Sequence, residues 1–156
     1  MTLTRAFKGL FSCALIIPNY GGILHNSETL SSLMYSMYGG LLGHGIEVTY
    51  DFRFTNGEPA VHIAVSRSPA FESLEGVIRG DGPRLSVDFE DRYQGFVRGL
   101  QEKFPELRLA DGDFKRITIL RADEILIPVE GREVEMLREE FDSEDEGGAS
   151  STDGDD

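Results

Sequence analysis

The chain has 156 residues, 40% of them hydrophobic, a length that fits one domain with or without a tail. Its formal net charge of −13 is unevenly spread: residues 139–156 carry nine acidic residues and no basic one, leaving 19 acidic against 15 basic in the first 138. That near-balance weighs against a halophile-type acidic surface and against bulk electrostatic capture of nucleic acid, which needs a basic face, so nucleic-acid binding stands only as a third reading.

A single cysteine, Cys13, excludes an intramolecular disulfide and any multi-cysteine metal site. It lies in the apolar run LFSCALII, where a buried structural thiol is expected rather than a nucleophile. Residues 9–17 follow Arg5 and Lys8 as a signal peptide would, but no small-residue cleavage pattern comes after them. No stretch approaches the length of a membrane-spanning helix, so a reducing compartment, cytosol or nucleus, is the expected location.

In chain order, the apolar run 10–17 predicts a buried central strand, with a helix as the alternative that periodicity leaves open. Asn26-Ser27-Glu28 is an N-cap signal, and Leu30, Leu33, Met34 and Met37 follow at helical spacing, predicting a helix over 28–38 stopped by Gly39-Gly40. The glycine-dense stretch 39–45 follows that helix instead of preceding one. Its amides would sit at the negative end of the helix dipole, so it reads as a connector and not as a phosphate loop.

Residues 46–67 carry the clearest pattern in the chain. Ile46, Val48, Tyr50, Phe52 and Phe54 alternate with polar residues, and after Asn56-Gly57 the alternation resumes at Val61, Ile63 and Val65. This predicts a hairpin with a two-residue turn, in which Phe52 faces Val61, Tyr50 faces Ile63 and Val48 faces Val65.

Ser68-Pro69 then reads as the start of a second helix over 69–79, with an apolar stripe at Phe71, Leu74, Val77 and Ile78. Residues 84–90 alternate again as a strand. The order strand, helix, strand, strand, helix, strand over residues 10–90 predicts an α+β, ferredoxin-like βαββαβ sandwich.

An extension follows over 91–141, making one domain of residues 1–141. It begins with a helix over 91–103, in which Gly95 and Gly99 are either tolerated or mark close approach of another element. Next comes a hairpin through residues 106–109 and 114–121. The strand 124–129 carries Ile125, Ile127 and Val129, and Pro128 marks it as an edge strand or a strand end because proline cannot donate to a ladder. A short helix over 131–141, through Val134, Leu137 and Phe141, ends the domain.

Residues 142–156 hold no apolar side chain larger than Ala149 and are expected to be disordered. Ser143, Ser150 and Thr152 each have an acidic residue three positions on, a context that suits acidophilic kinases.

No metal-ligand spacing and no cofactor fingerprint occurs, and HExxH, GxSxG and GxxxxGK[ST] are absent. The hairpin register sets His62 across from Asp51, with Arg53 beside them, which makes these three the candidates for a small hydrolase or transferase site. RNA binding by an RRM-like sheet would need aromatics on the open face, and that face offers Ala60, His62, Ala64 and Ser66 instead. The sequence therefore favours a non-enzymatic interaction module that self-associates or docks protein partners. Its expected contacts are the edge strand Ile125, Ile127 and Val129 and the acidic residues Glu144, Asp145 and Glu146.

Overall fold

The computed structural model describes residues 26–80 and 82–140. The chain opens with helix α1 (Asn26–Leu33) and continues as eight strands: β1 (Met37–Gly43), β2 (Ile46–Thr55), β3 (Glu58–Arg67), β4 (Ala70–Arg79), β5 (Arg84–Asp88), β6 (Arg116–Arg121), β7 (Glu124–Val129) and β8 (Arg132–Arg138). A 3₁₀ turn, Glu90–Arg92, and helix α2 (Tyr93–Lys103) interrupt them between β5 and β6. Each strand pairs antiparallel with its neighbours in sequence, and β8 pairs with β1, so the sheet closes into an up-and-down barrel.

The hairpin of residues 46–67 forms as its pattern dictates. Phe52 faces Val61, Tyr50 faces Ile63 and Val48 faces Val65, all fully buried. Two-residue turns are repeated around the barrel. His44-Gly45, Asn56-Gly57 and Glu130-Gly131 all have positive φ at both residues, as a type I′ hairpin turn requires. Ser68-Pro69 and Ala122-Asp123 make the equivalent turns between Arg67 and Ala70 and between Arg121 and Glu124.

A closed barrel replaces the ferredoxin-like sandwich, and each correction has a local cause. Residues 70–79 form β4, with Leu74, Gly76 and Ile78 buried inside and Phe71 on the outer face. The proline belongs to the turn before that strand, and Phe71 and Val77 gave a false helical stripe because they are apolar residues pointing outward. Residues 132–138 form β8, in which Val134 and Met136 point inward and Leu137 outward. The predicted helix over 28–38 ends at Leu33, and the supposed connector 39–45 is mostly β1.

Residues 106–109 form no strand; the hairpin partner of β6 is β7. The strand over 124–129 is present, but β6 and β8 flank it, so it is not an edge. Pro128 is accommodated because its carbonyl accepts from the Phe114 N–H, so its nitrogen faces the β6 side, past the last β6–β7 pair at Leu126. The predicted strand over 10–17 and the acidic tail lie outside the described residues.

Eight strands leave an interior that side chains can fill. Tyr38, Tyr50, Phe52, Phe114, Ile63, Ile117 and Ile125 fill it here, and Leu33 and Met34 of the α1 segment pack at the end near Phe52, whose carbonyl accepts from the Tyr35 N–H. Helix α2 covers the first half of β4, beyond where β5 pairs with it. Tyr93, Phe96 and Leu100 are its buried face, and the Lys103 ammonium reaches the Phe71 carbonyl and the Glu72 carboxylate. Of the two helix glycines, Gly99 marks a close approach: a Cβ there would stand 2.7 Å from the Glu72 carboxylate, whereas Gly95 faces open space.

Among the described residues no helix is long and apolar enough to cross a membrane. Strands β2 and β3 alternate apolar inward and polar outward, the inverse of the alternation in a membrane-spanning barrel.

Candidate functional surfaces on the barrel wall

With the interior filled, the described residues offer chemistry or binding only at their outer surface, at the barrel ends and on the wall. The residues singled out from the hairpin do come together there. Asp51 pairs with His62, and His62 pairs on its other side with Glu75 of β4. Arg53 ties the row together, with its guanidinium 2.8 Å from the Glu75 carboxylate and 3.8 Å from that of Asp51. Glu75 was missed in the sequence because its strand reads as a helix there; a period-two reading through Leu74 and Ile78 would have found it.

What this row can do is limited by its surroundings. All three ion-paired side chains are partly exposed, and such pairs contribute about 0–1 kcal/mol. The hydroxyls closest in register, Thr49 and Ser73, stand opposite Ala64 and not opposite His62. His62 does not line the grooves along β8, β1 and β2 or the depression over β4, β5 and β6. The row is built as a cross-strand ion-pair ladder.

The wall across β8, β1 and β2 differs. Gly39 stands between Leu137 and Thr49 in register, and the next outward residue of β1 is Leu41. Leu41 and Leu137 are 67% and 54% exposed. They border two adjoining shallow grooves of about 400 and 480 Å³, whose shared floor is Gly39 and Gly40. The same small-residue row continues through Thr49, Ala64 and Ser73, and Phe71, 52% exposed, closes its far side. Glu47 and Glu139 rim one groove, and Glu133 and Glu135 the other. Arg138 and Arg132 are the basic residues there, and Arg132 is engaged with the Leu42 carbonyl and with Glu130.

The other residues proposed from the sequence are placed differently or lie elsewhere. Ile125, Ile127 and Val129 point into the barrel and are fully buried, so no partner can touch their side chains without opening the fold. Glu144, Asp145, Glu146, Ser143, Ser150 and Thr152 lie outside the described residues. Among the described residues no group of His, Cys, Asp or Glu has the arrangement of a metal site.

No protein-family model, no curated protein and no solved structure matches this chain.

Proposed function

We propose that the protein is a non-enzymatic interaction module that docks a partner protein on the outer wall of β8, β1 and β2. The observation that supports this reading is the exposed Leu41–Leu137 pair over a floor of glycine. Adjacent exposed apolar side chains over a concave floor are how a soluble surface presents a docking patch. Four glutamates on the rims favour a partner whose apolar contact is flanked by lysine or arginine. They disfavour a second copy of this chain, because two such rims would meet with like charge.

Leu41→Lys with Leu137→Lys tests the reading. Both positions are exposed, so the thermal melt should hold within a few degrees. Partner binding, followed by titration with the purified partner, should fall by roughly 30-fold to nearly a thousandfold, in line with loss of two central anchors at about 1–2 kcal/mol each. A partner that binds wild type and the double variant equally would rule the site out. His62→Ala should leave binding unchanged. An activity lost in that variant would instead favour a small hydrolase or transferase acting through Asp51, His62 and Arg53.

A further inference from the structure

Four strands round the barrel from β1, the outer wall of β4, β5 and β6 gathers three arginines. Arg79 pairs with Ser86, and Ser86 with Arg116, while Arg84 pairs with Thr118. Arg84 is thereby the diagonal neighbour of both other arginines, and such neighbours stand roughly 7–8 Å apart, within reach of long side chains. The three border a depression of about 420 Å³ that Ser86 and Thr118 also line, with Glu133 at its edge.

Two features set this cluster apart from an ordinary charged surface. Like charges gathered across a ladder destabilise the sheet, and here they gather in a chain of net charge −13. Arg79 pairs with the Glu58 carboxylate at 3.0 Å, but the guanidinium groups of Arg84 and Arg116 have no ion pair or hydrogen bond with any described residue.

We propose that Arg79, Arg84 and Arg116 form a binding site for a phosphate group. Each guanidinium offers a planar fork of N–H donors. A carboxylate is satisfied by one such fork, whereas the oxygens of a phosphate accept from several at once, and its double charge offsets the mutual repulsion of the arginines. The Thr118 hydroxyl adds a donor, and Glu133 at the rim works against an anion held on its side. The group belongs either to a small phosphorylated molecule or to a phosphoserine in a peptide segment, and both present the same chemistry to the arginines.

The test is a titration of the isotope-labelled full chain, followed by amide chemical shifts, with four probes. These are inorganic phosphate, pyrophosphate, a peptide of residues 139–150 phosphorylated on Ser143, and the same peptide unmodified. Shifts should centre on the amides of residues 79, 84–86 and 116–118 for the phosphorylated probes. Arg84→Gln with Arg116→Gln should weaken binding roughly tenfold or more. Arg98→Gln, which removes the same kind of charge from an exposed position on α2, should not. Arg116→Gln alone serves if the double variant melts early. Tighter binding of the phosphopeptide assigns the site to phosphorylated segments, and tighter binding of pyrophosphate assigns it to small molecules. Three results would overturn the proposal: no shift at these amides, equal binding of the unmodified peptide, or equal weakening by Arg98→Gln.

Discussion

Asp113 shows how much one buried side chain holds in this fold. It is 2% exposed, and its carboxylate accepts from the backbone N–H of Ala110 at 2.7 Å and of Glu130 at 2.8 Å. Its own carbonyl accepts from the Tyr93 hydroxyl at 2.9 Å. One residue thus ties the loop after α2 to the β7–β8 turn and to α2 itself. Asp113→Ala would orphan two backbone donors, each costing about 1–3 kcal/mol, and should lower the denaturant midpoint accordingly. Asp113→Asn keeps an acceptor and should retain most of the stability. Burial, and then the negative charges of Asp113 and Asp111, push the Tyr93 hydroxyl up to about 12, and burial also raises Tyr50 well above the ordinary tyrosine value. A folded-state value raised above the ordinary tyrosine value near 10 contributes stability that is complete below pH ~10 and lost as the pH climbs toward 12. Unfolding midpoints should therefore fall across that interval, and Tyr93→Phe, though less stable at neutral pH, should fall less steeply.

At the scale of the elements, the seam where the first and last strands meet has a short register. Strands β1 and β8 share two register pairs, Tyr38 with Arg138 and Gly39 with Leu137, whereas β2 and β3 share nine. Gly40 lets the seam close: a Cβ there would sit 2.9 Å from the Glu135 carbonyl oxygen and the Met136 sulfur. Because one of those atoms is backbone, relief requires the strands to separate. Gly40→Ala should cost about 1–3 kcal/mol and speed hydrogen exchange in β1 and β8 before β2 and β3. Seams and ladders also explain what could be foreseen in the sequence. The 46–67 hairpin was legible because its apolar residues keep period two and its turn is Asn-Gly. Strands β4 and β8 were not, because Phe71, Val77 and Leu137 are apolar residues on the outer face, and together with the inward set they complete a helical spacing. The turn pairs His44-Gly45 and Glu130-Gly131 carried a weaker signal, because His and Glu do not favour the positive φ they adopt there as Asn does.

At the scale of the whole molecule, closure is a long-range property. No local pattern states that β8 will meet β1, across about a hundred residues, so a barrel and a sandwich remain alike until strand number and register are known. The candidate surfaces divide along the same line. The Asp51–His62 pair follows from one hairpin and was visible in advance. The Leu41–Leu137 groove needs the closing seam, and the arginine cluster needs three strands of which one read as a helix. On the proposed reading, the filled interior and the exposed groove make the outer wall the binding surface. The most direct test is quantitative capture from native cell extract by wild type, Leu41→Lys/Leu137→Lys and His62→Ala in parallel. The account predicts a discrete partner, basic around an apolar contact, that wild type and His62→Ala retain and the double variant loses. Equal recovery by all three folded proteins, or recovery of no partner at all, would contradict it.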